Sequence, residues 1–156
     1  MVFKGFGGGL CNSVNYLVVV MRGLSDSNLQ SMWRKAIIKL FGGRCFFCGS
    51  PTSIKEAHHA AQKRNMLLLK HDYRCGILCC KFQHDGNKQF KMSCHRYAET
   101  PMGKKLIQDY QEKKGWLEYL HERSRNSKQW FVDHKTSKTE FLLTMYKELK
   151  EIINGR

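Results

Sequence analysis

Cys45 and Cys48 stand two residues apart in RCFFCGSP, residues 44–51, and Gly49 and Pro51 follow at once. No other feature limits the fold as strongly. Two thiolates in C-x-x-C spacing can chelate one ion, which suits tetrahedral zinc. A knuckle of this kind needs two further ligands from elsewhere in the chain. A thioredoxin-like redox pair is the rival use of the spacing. It wants a strand before the motif and a helix directly after it, where this chain has residues that turn it. The remaining ligands can come from Cys94 and from Cys80, which is preferred to Cys79; Cys75 and His84 could also intrude. If the cysteines are only small buried apolar residues, the glycine-punctuated turn around the first pair has no explanation.

The rest of the composition narrows the class. A chain of 156 residues suits one compact domain with appended helices, and an apolar fraction of 42% excludes a disordered chain. The formal net charge of +14 calls for a polyanionic partner. Residues 28–100 hold 13 Lys and Arg against 4 Asp and Glu, and residues 101–156 hold 12 against 8. The more basic part is thus the one that contains the cysteines, which points to bound phosphates there. Seven cysteines is an odd number, and no convincing signal peptide precedes them, so a reducing compartment and metal ligation fit better than disulfides. YLVVVM, residues 16–21, is too short to span a membrane. Residues 1–25 read as a flexible leader, and Met21 is a possible alternative start.

Periodicity supplies the elements. Leu29, Met32, Trp33, Ala36, Ile37, Leu40 and Phe41 repeat at helical spacing, so residues 26–43 are expected to form an N-terminal helix. Asp26 or Ser27 can cap its start, and Gly42 and Gly43 end it. SIKEAHHAA, residues 53–61, is expected to be a short strand carrying His58 and His59, and residues 76–79 a second strand. Asp85, Gly86 and Asn87 give a hairpin-turn signal between Cys80 and Cys94. CHRYAETPMGKKLIQDYQ is expected to be helical at both ends, with a break and restart at Thr100 and Pro101. In the tail, WLEYLHERSR is followed by a polar gap, and Ser137 with Glu140 makes a capping-box pattern. Phe141, Leu142, Met145, Tyr146, Leu149 and Ile152 then share one helical face. Trp116, Tyr119, Trp130 and Phe131 lie among basic residues; their spacing favours core packing over stacking on bases.

An adjacent histidine pair alone is usually a surface feature. Here His58 and His59 are framed by cysteines. The segments CFFCG, EAHHAAQKR, CGILCC and CHRYAETP, spread over residues 44–101, resemble the HNH endonucleases, specifically the zinc-stapled ββα-metal type common in phage genomes. The stretch GKKLIQDYQEKKGWLEYLHERS is loosely similar to the helical extension of some phage members, and residues 1–43 take no part in the likeness.

The resemblance implies an α+β fold: a small ββα-metal core with a zinc knuckle over residues 44–101. The N-terminal helix and a helical extension over residues 102–156 would flank it. It implies a structural zinc on Cys45, Cys48, Cys94 and Cys80 (or Cys79). It also implies a catalytic divalent cation, Mg²⁺, Mn²⁺ or another, on His58 and His95, with Glu99 one helical turn later as a further ligand. His59 would be the general base that activates water for phosphodiester hydrolysis. The implied partner is nucleic acid, most simply DNA, with no membrane, in the cytoplasm of a phage-infected or bacterial host cell. The chain departs from the family pattern in having Cys75 where an asparagine usually braces the catalytic loop. It also has 13 residues, His84 among them, between Cys80 and Cys94. A non-catalytic zinc-binding module that holds nucleic acid, and a thiol redox protein, are the alternatives. Oligomeric state and cleavage specificity are not encoded in any motif.

Overall fold

The computed structural model describes residues 24–60, 68–125 and 127–155. The leader expected over residues 1–25, up to residue 23, lies outside the described residues. The first described helix, α1 (Asp26–Leu40), buries Leu29, Trp33, Ala36 and Ile37, the greater part of the face that the apolar spacing predicted, while Leu40 of that face is exposed. Its cap is Ser25 rather than Asp26 or Ser27: the Ser25 hydroxyl accepts from the Asn28 backbone N–H. Asp26 sits in the first turn instead, where it accepts from Lys70 at 2.6 Å and pairs with His71 at 3.1 Å. Gly42 and Gly43, at φ of 55° and 69°, carry the chain out of the helix in the left-handed region that a side chain would strain.

Strands β1 (Lys55–His59) and β2 (Gly76–Cys80) pair antiparallel, with His59 opposite Gly76, His58 opposite Ile77 and Lys55 opposite Cys80. Among the described residues these two strands form the whole sheet. Alternation along a strand sends neighbours to opposite faces. Ala57 and Leu78 therefore meet α1, while Ile77 packs with Ala98 and Ile107 on the other side. The two adjacent histidines are separated by the same rule.

After β2 the expected hairpin is absent. Asp85–Phe90 is a 3₁₀ helix, with His84 as its cap and Asn87 returning a side-chain bond to the His84 N–H. The Asp-Gly-Asn signal is real as a tight turn, but no flanking strands receive it. A short helix α2 (Cys94–Tyr97) follows, capped by Ser93. Helix α3 (Pro101–Lys113) then restarts after the Thr100 cap, with Pro101 in its first turn as the sequence suggested. Helices α4 (Leu117–Arg125) and α5 (Ser127–Asp133) come next, and the polar gap of the sequence reading thus contains a helix. Helix α6 (Lys138–Asn154) starts at the predicted Ser137–Glu140 capping box.

Leu149 of α6 joins Leu29, Trp33, Ala36, Ile37 and Leu78 in one core cluster. Trp130 and Phe131 pack with Leu68, Phe141 and Met145, while Trp116 and Tyr119 pack with Leu69, Cys75 and Leu120. The aromatic residues of the tail are thus core residues. The described residues form a small α+β fold in which a two-stranded ribbon is clasped between the first and last described helices. Among the described residues no helix is long and apolar enough to cross a membrane.

Candidate functional site

The knuckle after α1, the end of β2 and the start of α2 bring four sulfurs together. Cys45, Cys48, Cys80 and Cys94 offer ligand atoms that all lie within 4.8 Å of one another. Tetrahedral zinc with bonds of about 2.3 Å holds its sulfurs about 3.8 Å apart, so the group is compatible with one such ion. Cys80 rather than Cys79 belongs to it. Cys79 is buried one residue back, facing the Glu56 carbonyl at 3.8 Å, where strand alternation sends it. Cys75 is also excluded, because its thiol donates to the carbonyls of Leu69 and Asp72, both at 2.9 Å.

His84 lies against the group without the lone pair that a ligand needs. Its Nδ1 accepts from the Gly86 N–H at 3.0 Å, so the proton of a neutral ring is on Nε2. That Nε2 faces Cys80 Sγ at 3.1 Å and Cys48 Sγ at 3.6 Å, and it donates to sulfur. Ser53 Oγ reaches Cys80 Sγ at 2.7 Å, and Asn87 Nδ2 donates to Cys94 Sγ at 3.5 Å. Donors around thiolates of this kind orient and stabilise a metal site.

Electrostatics sets Cys45 apart from Cys80 and Cys94. Burial raises Cys45, but the backbone N–H groups of Cys48, Cys80 and Phe47 outweigh it and hold the thiol below its ordinary value. Cys80 is pushed up to about 11, first by burial and then by Cys48 and Cys45, with the Ser53 hydroxyl acting the other way. Cys94 is raised by burial and by Cys45, against Asn87. Sulfurs this close cannot all carry negative charge without a compensating cation.

A second group adjoins the first, because His95 directly follows Cys94. His95 Nε2 stands 3.2 Å from Nδ1 of His58, which comes from β1. On the opposite edge of the His58 ring, Nε2 lies 3.2 Å from Glu99 Oε1. Glu56, two residues before His58 and on the same strand face, pairs with Lys81 at 2.8 Å and lies 4.0 Å from His95 Nε2. Sequence reasoning did not single out Glu56, although its i, i+2 relation to His58 was available as a signal.

His59 stands apart from this group. Its ring faces α1 and stacks on Trp33, with centroids 3.8 Å apart and planes at 4°. His59 Nε2 lies 2.9 Å from the Lys70 carbonyl oxygen, which can only accept, so the proton is on Nε2 and the lone pair of the neutral ring is on Nδ1. The ring is half-buried. The structure therefore unites His58, His95 and Glu99 and sets His59 on the other face of the ribbon.

Comparisons with protein-family models, with curated proteins and with solved structures found no match. The functional reading rests on the site itself.

Proposed function

We propose that the protein is a metal-dependent endonuclease of the HNH type, hydrolysing phosphodiester bonds in DNA. The observation that carries the reading is the His58–His95 pair held beside the cysteine cluster. The two nitrogens stand 3.2 Å apart, close enough for both to be ligands of one ion. In this reading Cys45, Cys48, Cys80 and Cys94 would hold a structural zinc, and His58 Nδ1 with His95 Nε2 would hold a divalent cation, whose chemistry would be charge relief at the scissile phosphate and leaving oxygen.

We propose for Glu99 a role different from the ligand that the resemblance implies. It stands 3.2 Å from the His58 nitrogen that points away from His95, where it would orient the ring instead of sharing the ion. His59 is the general base. Because His59 ends β1 on the face opposite His58, this role requires a phosphate that reaches round the strand end; Nδ1 would then take a proton from the attacking water as the new P–O bond forms, with the leaving oxygen protonated from solvent. The net charge of +14 supports a polyanionic substrate.

A second reading, a non-catalytic zinc module that holds nucleic acid, is favoured by one observation: His59 lies flat on Trp33 as a packing residue would. Incubation of supercoiled plasmid with the protein and Mg²⁺, Mn²⁺ or Zn²⁺ separates the two. Nicking by the wild type is expected. His59→Ala should lose a factor of roughly 10²–10⁴, the usual worth of a positioned base, while keeping its DNA binding. Binding without any nicking, or His59→Ala cutting at the wild-type rate, would favour the module.

A further inference from the structure

We propose that Trp33, on α1, is a positioning residue for His59, which makes the N-terminal helix part of the site; this rests on the reading of His59 as the base. Trp33 acts on His59 by two routes. Its indole covers one face of the imidazole at 3.8 Å and 4°, which leaves the ring no room to turn about its own axis. Its Nε1–H donates to the Asp72 carbonyl at 3.0 Å. That bond fastens the turn whose Lys70 carbonyl accepts the His59 Nε2–H. One side chain therefore constrains both the plane of the imidazole and the acceptor that selects its tautomer.

Two neighbouring residues are shaped to this arrangement. Gly76 is directly opposite His59 in the ladder, and a Cβ there would lie 2.4 Å from Ile37 Cδ1 and 2.7 Å from Trp33 Cζ2. The absent side chain is what lets the indole reach the strand end. Cys75 donates its thiol to the Leu69 and Asp72 carbonyls, so the Asp72 oxygen receives both Trp33 and Cys75 while the turn is tied across its width. Volume alone would be satisfied by many apolar side chains in place of Trp33. Coplanar stacking together with an indole N–H bond to the same turn serves orientation as well. The indole face also favours the imidazolium that a base becomes.

The test uses the full zinc-loaded chain labelled with ¹⁵N. Two-bond ¹H–¹⁵N correlation should show His59 protonated on Nε2, with its ring CH protons shifted upfield by the indole. Trp33→Leu should lose that shift and mix the tautomers. Its kcat for plasmid nicking should fall by about ten- to a hundredfold, the scale of a small misplacement, with KM and zinc content unchanged. Trp33→Phe, which keeps a ring face without the N–H, should recover part of both signals. A wild-type spectrum with the proton on Nδ1, or with no upfield shift, overturns the proposal without any variant. So does a folded Trp33→Leu or Trp33→Phe whose His59 spectrum and kcat both match the wild type. If the wild type cuts no DNA but the His59 tautomer still depends on Trp33, the positioning stands and the nuclease reading falls.

Discussion

His71 shows how one residue writes a pH dependence into the fold. Its ring is 5% exposed, with Nε2 facing Asp26 Oδ1 at 3.1 Å. Burial holds the imidazole below its ordinary value of 6.5, and the hydrogen bond to Asp26 only partly offsets this. The folded value is depressed, so the unfolded chain takes up a proton first as pH falls below 6.5, and stability drops from there toward the folded value. Asp26 is lowered chiefly by its bond to Lys70; its contribution is lost only in more acid solution, below 3.8. Thermal melting between pH 7.5 and 5 should show Tm falling, with a shallower slope in His71→Gln. Equal slopes in the two proteins would show that His71 does not titrate this way. Cys75 is informative at the same scale. A thiol stands where the HNH pattern that the sequence resembles has asparagine, and it bonds two carbonyls of the turn before β2, although a thiol is a weak donor.

Among the elements, the 3₁₀ helix Asp85–Phe90 carries more than its length suggests. Asn87 is fully buried; it donates to the Phe82 carbonyl at 3.1 Å and to Cys94 Sγ, and accepts from His84 N at 2.7 Å. The insertion between Cys80 and Cys94 thus closes over the sulfurs through a side-chain clasp, and strand pairing plays no part. Asn87→Ala leaves the His84 N–H and the Phe82 carbonyl without this partner, which should cost about 1–3 kcal/mol in denaturant melts. Loss of the donor to Cys94 should weaken metal retention by roughly 10–100-fold in chelator competition. Unchanged chelator resistance would mean that the bond to sulfur is incidental. The sequence signal at Asp85–Asn87 was read as a hairpin turn because turn propensity reports only local backbone compatibility. Whether strands flank the turn depends on partners far away in sequence.

For the described molecule as a whole, α1 and α6 close one core. Leu149 from α6 and Leu29, Trp33 and Ile37 from α1 enclose Leu78 of the ribbon. Arg74, beside the turn before β2, donates to Asp72 at 3.2 Å, to Tyr119 at 3.1 Å and to Glu148 of α6 at 3.1 Å. The helical tail is therefore fastened to the turn that orients His59. The knuckle side has a different source of stability, since its buried cluster consists mainly of the cysteines. Structural zinc contributes about 10 kcal/mol or more in small knuckles. Metal analysis should find one zinc per chain. Removal by a strong chelator, or Cys45→Ser, should abolish the cooperative melt followed by circular dichroism; an unchanged melt after complete removal would refute a structural ion. DNA affinity should fall steeply between low and moderate salt, as counterion release requires, and a flat response would speak against phosphate contacts.

Local chemistry was legible in the sequence. The Leu29–Ile37 part of the α1 face, the Ser137–Glu140 box, the Thr100–Pro101 restart and the C-x-x-C pair each depend on residues a few positions apart, and each is found as read. For the fourth ligand the sequence preferred Cys80 but left Cys79, Cys75 and His84 open. Only tertiary structure chose Cys80, because strand alternation in a register set by distant pairing decides which of two adjacent side chains faces the knuckle. The same alternation parted His58 from His59. It placed one against His95, 37 residues away, and the other against Trp33. Adjacency in sequence held no information about that separation, since a strand sends neighbours to opposite faces and the partners waiting there come from other elements.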